Sequence, residues 1–359
     1  MKLTLSVESV KLKKKNFKKL MNIITTNSKI KATILGLAYA DALGAGYEFF
    51  KGQIGEDEEI DFLEVPKITV HKKYEWTDDT AMTYLTMCSM QPSQNKGRPY
   101  LEINYELLSD LFIDWYKGAP DKGIHTYNVL SQTEYYKKIN PNEQRSMFTI
   151  AKEITEANPM SAGNGGLMRI AAGLIPLKHS DDNDWDVIRL ASELNDLTHP
   201  HPDSNSSCRF FLYLLNLLVK EHEKIKSKEE FSKFISRWTK ELEAFGTLGN
   251  SVRAAFTCDL NSLNPNRYVI TTLSLAIGSI YQTWEEGITP KEHFINTVHK
   301  CIRVGDDTDT TSAVAGAMVG AVYGEECLPD DIDKIYGYAG EQYAHVTYED
   351  MVKTIDELL

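Results

Sequence analysis

Apolar residues recur at the spacing of an α-helix through most of this chain, whereas the alternation typical of β-strands is nearly absent. The clearest case is the segment 105–117, in which Leu108, Leu111 and Trp115 lie three or four residues apart while Asp110 falls on the other side. The same pattern predicts helices near residues 30–45, 80–90, 105–117, 185–197, 206–223, 228–244, 268–284, 290–302 and 310–323. Because no repeat or low-complexity linker divides the body, we predict one all-α domain over residues 29–359, preceded by an extension over residues 1–28.

One predicted helix, near residues 310–323, is rich in small side chains. Gly316, Gly320 and Gly324 follow one another at intervals of four, so they would line one face and let a neighbouring helix approach closely. Each glycine inside a helix costs about 1 kcal/mol of helix propensity, so packing must compensate for keeping them. We therefore predict a central helix whose start is held firmly by its neighbours.

The charge balance argues against nucleic acid as a partner. The chain carries 39 Lys and Arg against 51 Asp and Glu, a net charge of −12, which suits a protein that holds cations. Its five cysteines are scattered and form no Cys-x-x-Cys pair, as is typical of a reducing compartment. No apolar stretch has the length of a signal-peptide core or of a membrane helix. We expect a soluble cytoplasmic protein without a membrane partner.

The extension over residues 1–28 is basic, unlike the rest of the chain. Only Glu8 opposes its lysines, which are Lys2, Lys11, Lys13, Lys14, Lys15, Lys18 and Lys19. A charge run of this kind is usually a solvated tail. The alternative is an arm that docks on an acidic surface of a partner protein, and both interpretations stay open here.

Two acidic clusters, at residues 77–80 and 306–311, have nearly the same chemistry and each opens a predicted helix. Asp and Thr are common helix caps, which is the ordinary explanation of one such cluster. Two clusters with adjacent carboxylates also suggest one shared cation site, because a hard cation relieves the repulsion between like charges. Carboxylate and hydroxyl ligands favour magnesium, manganese or calcium over zinc.

Three further stretches contain polar residues in small-residue surroundings. In residues 36–49, a predicted helix that contains Asp41 ends in small residues and is followed by Glu48. Residues 161–169 form a glycine-rich turn, and residues 195–203 place His199 after a helix. Each has an ordinary explanation, as a surface charge, a loop or a buried histidine. A glycine-rich turn before a helix is only a weak signal for phosphate.

Together and in this order, the stretches resemble the ADP-ribosylglycohydrolase family over about residues 30–324. The motifs that carry the resemblance are Asp-Ala-Leu-Gly followed by Glu48, Thr-Asp-Asp-Thr, Gly-Asn-Gly-x-x-Met-Arg, Thr-His, and Asp-Thr-Asp-Thr before a small-residue helix. The chain departs from the family pattern at Ala40 and at Asp306, where relatives usually have glycine. Neither departure removes a ligand that the resemblance implies, although Asp306 adds a charge beside the site.

The resemblance implies an orthogonal all-α fold with a cleft that holds two magnesium or manganese ions. The implied metal ligands are Thr77, Asp78, Asp79, Asp307, Asp309 and Thr310. The pyrophosphate of ADP-ribose would lie near Asn164, Gly165 and Gly166. Asp41, Glu48 and His199 would line the same site, with Glu48 on a mobile flap.

The implied activity is hydrolysis of the bond at the anomeric carbon of ADP-ribose on a protein side chain, with arginine as the expected acceptor. An oxocarbenium-like transition state needs nearby negative charge and an activated water. Either Asp79 or Glu48 would transfer the proton, and the sequence leaves that choice open. The alternative function is an immunity protein that occludes an ADP-ribosyltransferase toxin through residues 1–28, with or without hydrolysis.

Overall fold

The computed structural model describes residues 7–50, 54–91, 103–139, 145–178, 184–220, 225–241 and 246–359, with side chains at all of them except 7–22, 184, 240 and 241. Fourteen α-helices lie in these ranges. They are α1 Val7–Ala45, α2 Asp78–Cys88, α3 Tyr105–Gly118, α4 Ile124–Ile139, α5 Met147–Ala157, α6 Leu174–Lys178, α7 Asp184–Asp196, α8 Pro202–Lys220, α9 Lys228–Glu241, α10 Gly246–Ala254, α11 Val269–Thr283, α12 Pro290–Val304, α13 Thr308–Tyr323 and α14 Tyr348–Leu358. The predicted all-α class is confirmed.

A short hairpin is the only sheet in the described ranges. Its strands, β1 Tyr336–Tyr338 and β2 His345–Thr347, pair antiparallel. The backbone of Tyr336 also accepts a hydrogen bond from Trp76 N at 3.0 Å and donates one to Tyr74 O at 3.1 Å. The hairpin therefore braces the segment that leads into α2.

Helices α1 and α13 pack against each other through small residues. A Cβ placed on Gly316 would lie 2.4 Å from the Gly36 carbonyl oxygen, and one placed on Gly320 would lie 2.2 Å from the Ala32 carbonyl oxygen. The two backbones are thus too close for any side chain at these positions. Nearly all of α13 is buried, so the predicted central helix is confirmed. Gly324 differs from the prediction, because it ends the helix at φ +77° instead of lining its face.

All nine predicted helices are present, and α4, α5, α6, α10 and α14 were not predicted. The buried face of α4 explains one omission: Thr126 and Thr133 share it with Val129 and Leu130, so the apolar stripe is weak in the sequence. The predicted ends near 223 and 244 lie outside the described residues. No helix in the described part of the chain is both long and apolar enough to cross a membrane.

The predicted division at residue 28 falls inside α1. Residues 1–6 of the extension lie outside the described residues, and the helix runs from Val7 without a break. Ser28 Oγ accepts a hydrogen bond from Glu325 N at 3.2 Å, and the buried Lys29 donates from Nζ to Leu218 O at 3.0 Å. The chain is therefore attached to the domain core at Ser28 and Lys29.

Candidate metal centre

Asp41, near the end of α1, holds the first turn of α2. Its buried carboxylate accepts hydrogen bonds from the backbone N–H of Thr77 at 3.1 Å and of Thr80 at 3.0 Å. The hydroxyls of both threonines also donate to it, from Thr77 at 2.8 Å. Burial raises the pKa of Asp41 while these bonds lower it. Asp41 thus does for α2 what a capping residue usually does, but from another helix.

Asp79, in the first turn of α2, lies close to Asp309, in the first turn of α13. Asp79 Oδ2 accepts a hydrogen bond from Thr310 Oγ1 at 3.2 Å and lies 3.3 Å from Thr77 Oγ1, whose single proton goes to Asp41. Asp79 Oδ1 and Asp309 Oδ1 are buried and have no hydrogen-bond partner among the described residues. One oxygen from each of Asp41, Asp79 and Asp309 lies within 4.8 Å of the others.

A second group of carboxylates shares Asp309 with the first. Oxygens of Glu48, Asp307 and Asp309 also lie within 4.8 Å of one another. Glu48 is 3% exposed, and its Oε2 has no hydrogen-bond partner within the described ranges. The six acidic and hydroxyl ligand positions that the resemblance implied are therefore gathered at the starts of α2 and α13, with Glu48 and Asp41 beside them.

The loop after α1 is docked on the loop before α13. Phe49 N donates to Asp306 O at 2.8 Å, and both residues are left-handed, with φ +58° and +61°. Gly44 packs beneath them, since a Cβ there would lie 2.6 Å from Thr308 O. This contact turns Glu48 inward. The left-handed backbone fits the glycine that the resemblance implies for this position, while the carboxylate of Asp306 has no explanation in the structure.

Burial and mutual repulsion disfavour the charged form of these carboxyl groups when no cation is bound. Burial, then the charges of neighbouring aspartates, raises the pKa of Asp79 and of Asp309 well above the usual range. Burial, then the charges of Asp309 and Asp307, raises the pKa of Glu48 to about 12. Unpaired buried oxygens at this density fit a hard cation with oxygen ligands.

Asp78 and a carboxylate that the sequence analysis missed lie on the solvent side of this cluster. Asp78 is half-buried, and its Oδ2 accepts from Gly123 N at 3.4 Å. Burial, then the charge of Asp121, raises the pKa of Asp78, and Asp121 also raises that of Glu48. Asp121 lies in the loop between α3 and α4. The Gly-Ala-Pro-Asp sequence around it signals a loop but not its position beside the site.

Asn164 connects the glycine turn to the carboxylates. Its Nδ2 donates to Asp307 Oδ2 and, at 2.9 Å, to Thr272 Oγ1. The side chain of Asn164 thus contacts an implied metal ligand, and its predicted place beside the pyrophosphate stays a prediction.

Gly165 and Gly166 allow the turn to approach two side chains. A Cβ on Gly165 would lie 2.7 Å from Cε1 of His199, and one on Gly166 would lie 2.1 Å from Asn195 Oδ1. His199 is 3% exposed and lies directly against the turn. The residues that follow, Leu167–Gly173, form a 3₁₀-helix.

A cavity of about 620 Å³ opens beside the turn. Its lining includes His125, Met160, Gly163, Arg267 and Tyr268. Burial raises the pKa of Asp307, and the charge of Arg267 partly opposes that rise, so the cavity adjoins the carboxylate cluster. The sequence analysis missed His125, Arg267 and Tyr268, because no motif joins them.

The chain is similar to known proteins over most of its length. The ADP-ribosylglycohydrolase family profile matches residues 23–357. An ADP-ribosylarginine hydrolase Tri1 of Serratia proteamaculans (strain 568) is 25% identical over 86% of this chain and 75% of its own length. The ADP-ribosyl-[dinitrogen reductase] glycohydrolase of Rhodospirillum rubrum is 25% identical over 82% of this chain and 85% of its own length.

A solved structure shares the fold. The "ADP-ribosylglycohydrolase-related protein complex" superimposes with a TM-score of 0.64 at 20% identity, covering 93% of this chain and 97% of that one. The family match begins within α1 and ends in the last turn of α14, so it spans nearly the whole described chain. The chain therefore belongs to the ADP-ribosylglycohydrolase family.

Proposed function

We propose that this protein is a metal-dependent hydrolase that removes ADP-ribose from protein side chains by cleaving the glycosidic bond at the distal ribose. The observation that carries the proposal is the two clusters of carboxylates that share Asp309. In these clusters Asp79, Asp309 and Glu48 each have an oxygen without a hydrogen-bond partner among the described residues. Arginine is the proposed acceptor, because the relatives from Serratia proteamaculans and Pseudomonas putida (strain GB-1) are both named ADP-ribosylarginine hydrolases.

Two magnesium or manganese ions are the proposed cofactors. Their ligands would be Thr77, Asp78, Asp79, Asp307, Asp309 and Thr310. When bound, such ions polarise the ribose hydroxyls and lower the pKa of a coordinated water. The sharing of Asp309 between the two carboxylate groups supports a pair of neighbouring ions.

The chain's own groups then have to move two protons. Cleavage breaks the bond between the anomeric carbon and the acceptor nitrogen, adds water oxygen to the carbon, and returns a proton to the nitrogen. Glu48 and Asp79 are the proposed candidates for this transfer. Glu48 is the better candidate for the proton donor, because its raised pKa keeps a proton on the carboxyl group, whose buried Oε2 has no partner among the described residues.

Two variants separate these candidates. Glu48→Gln that loses hydrolysis but keeps the thermal stabilisation given by magnesium would assign proton transfer to Glu48. Asp79→Asn that keeps full hydrolysis would remove Asp79 from both the ligand set and the proton transfer.

The substrate's pyrophosphate is proposed to lie at Asn164, Gly165 and Gly166, with Asp41 and His199 lining the same site. The cavity beside the turn supports this placement, because Gly163 of the turn lines it. Its aromatic and basic lining, Tyr268 and Arg267, suits a nucleoside base and a phosphate.

The decisive experiment is hydrolysis of arginine-linked and serine-linked ADP-ribose on proteins, with magnesium, with manganese and with EDTA. We expect release of ADP-ribose from arginine in either metal and none in EDTA. Failure on both linkages with metal present would overturn the enzyme proposal. Release from serine alone would change the acceptor but not the reaction.

A second candidate function is the occlusion of an ADP-ribosyltransferase toxin by residues 1–28. The observation that favours it is that α1 starts at Val7, upstream of the family match that begins at residue 23. The lysines from Lys11 to Lys19 therefore belong to a helix continuous with the domain core. The free thiols of all five cysteines support a cytoplasmic location for either function.

Deletion of residues 1–22 tests the second candidate and spares the contacts of Ser28 and Lys29. An arm that occludes a toxin predicts lost toxin binding with hydrolysis intact. Toxin binding that survives the deletion would reject the arm.

A further inference from the structure

Arg169, at the end of the Gly-Asn-Gly-x-x-Met-Arg motif, is buried completely beneath the glycine turn. Its Nε donates to Gly165 O at 3.2 Å and its Nη2 donates to Thr198 Oγ1 at 2.7 Å, while the guanidinium lies 5.2 Å from the centroid of the Phe112 ring. No described carboxylate pairs with it, and Nη1 has no hydrogen-bond partner there. A buried charge without an ionic partner destabilises the fold, so we expect Arg169 to have a specific role.

The direction of the hydrogen bonds around Thr198 follows from donor chemistry. A guanidinium has only donors, so Thr198 Oγ1 must accept from Arg169. Thr198 is completely buried, and the acceptor within the described ranges for its own hydroxyl proton is His199 Nδ1, at 2.8 Å. His199 Nδ1 is therefore an acceptor, and the neutral ring carries its proton on Nε2.

The surroundings keep this ring neutral. Burial, then the charges of His125 and Arg169, lowers the pKa of His199 well below its usual value. The His125 ring lies 4.6 Å from the His199 ring and bonds through Nε2 to Thr198 O at 2.9 Å. Both histidines are thus tied to Thr198, one through its hydroxyl and the other through its carbonyl.

The Nε2 edge of His199 meets the glycine turn. A Cβ on Gly165 would lie 3.0 Å from Nε2, and one on Gly163 would lie 3.5 Å away. No described residue accepts a hydrogen bond from this nitrogen. The Nε2 donor therefore lies directly against the turn and keeps its proton free of any described acceptor.

We propose that Arg169 is a positioning residue that acts through Thr198 to fix His199 as a neutral ring, whose Nε2–H donates to the pyrophosphate of the substrate. The pyrophosphate part rests on the proposed function. The tautomer does not, because it follows from the contacts of Arg169 and Thr198 alone.

Nitrogen-15 NMR of the histidine rings tests the tautomer directly in the full chain, with His199→Gln assigning the signals. We expect the wild-type ring to carry its proton on Nε2 and to leave Nδ1 unprotonated. Thr198→Val, which removes the hydroxyl, should give a mixture of tautomers, and Thr198→Ser should restore the wild-type pattern. A proton on Nδ1 of the wild-type ring, or no change in Thr198→Val, would overturn the proposal.

Binding of ADP-ribose, measured by calorimetry, tests the consequence. Thr198→Val should weaken binding about threefold to tenfold, the range expected for one lost hydrogen bond. Thr198→Ser should bind like the wild type. The matched control is Thr133→Val, which removes a buried hydroxyl bonded within α4 at Val129 O, and its binding should not change.

Arg169→Met tests the origin of the constraint. We expect this variant to show the same tautomer mixture as Thr198→Val, and an unchanged Nε2–H ring would reject the role of Arg169. If Arg169→Met does not fold, the comparison of Thr198→Val with Thr198→Ser decides the proposal. A wild-type protein with the expected tautomer and ADP-ribose binding but no hydrolysis would defeat the proposed function and leave this inference standing.

Discussion

The side chain of Asp79 uses one carboxylate oxygen for a hydrogen bond and leaves the other without a partner in the described part of the chain. Asp309 and Glu48 each have a buried oxygen in the same condition. A buried carboxylate without a partner either takes a proton or binds a cation, because the isolated charge is too costly. These three residues therefore link the stability of the fold to the occupancy of the site.

Asp79→Asn is expected to abolish cation binding and to reduce hydrolysis at least about 100-fold, since an amide nitrogen would replace the unpaired oxygen. The measurement is the shift in Tm on adding magnesium, together with kcat/KM on arginine-linked ADP-ribose. Asp306→Asn is the matched control, because asparagine tolerates the left-handed backbone and the Phe49 contact uses only the carbonyl of residue 306. Equal cation shifts in both variants would exclude Asp79 as a ligand.

Glu48→Gln is expected to stabilise the protein in EDTA at pH 8. The pKa of Glu48 is raised on folding to about 12, so folding takes up a proton that the unfolded chain lacks at this pH. Glutamine removes that cost, which grows by up to about 1.4 kcal/mol per pH unit above pH 4.5 and vanishes below it.

Urea unfolding in EDTA at pH 5 and at pH 8 measures this effect. The gain of Glu48→Gln over the wild type should be small at pH 5 and larger at pH 8. Glu59→Gln, at an exposed glutamate of the following loop, should show no gain at either pH. A gain that does not depend on pH would mean that Glu48 is not the source.

At this scale the sequence named the residues of the candidate site, but it could not predict their contacts with one another. The motifs named Asp41 and Asn164 as substrate-binding residues, which stays a prediction, and the structure adds that their side chains bond to Thr77 and Asp307. Asp121 and Arg169 were not predicted, because each is linked to the site by a residue distant in the sequence, Asp78 for Asp121 and Thr198 for Arg169. Local spacing cannot predict such contacts, because they depend on how distant helices cross.

Among the elements, α1 and α13 fix the site because their backbones approach without intervening side chains. Gly316→Ala is expected to destabilise the protein by about 1–3 kcal/mol, since its Cβ would lie 2.4 Å from backbone oxygen that cannot move aside. Urea unfolding measures this. Gly246→Ala is the control: nothing described lies within 4 Å of a Cβ at that first residue of α10, so the change should be neutral or slightly stabilising. Equal effects at both positions would contradict the close approach.

Helices with a continuous apolar stripe were predictable, as α3 shows with Leu108, Leu111 and Trp115. Helix α4 was not, because its buried face includes Thr126 and Thr133. The docking of the loop after α1 onto residue 306 was equally invisible. It rests on one backbone hydrogen bond between residues that are far apart in the sequence.

Across the whole molecule, the candidate site joins the end of α1, the start of α2 and the start of α13, so parts of the chain from Asp41 to Thr310 meet there. Hydrogen bonds from Thr77 to Asp41 and from Thr310 to Asp79 connect the three elements. A ligand that binds only when all three are in place stabilises the folded state alone. Cation binding should therefore be visible as global stability.

Magnesium or manganese at about 100 times its Kd is expected to stabilise the folded protein by about 2.7 kcal/mol, and EDTA should reverse the effect. The shift in Tm should be larger at pH 8 than at pH 6. The raised pKa values of Asp79 and Asp309 keep protons on the ligand oxygens as the pH falls, and a cation must displace those protons to bind. Scanning calorimetry at both pH values measures the shifts, with Asp79→Asn as the variant that should show none. A shift of equal size at both pH values, retained in Asp79→Asn, would place the cation elsewhere than at these carboxylates.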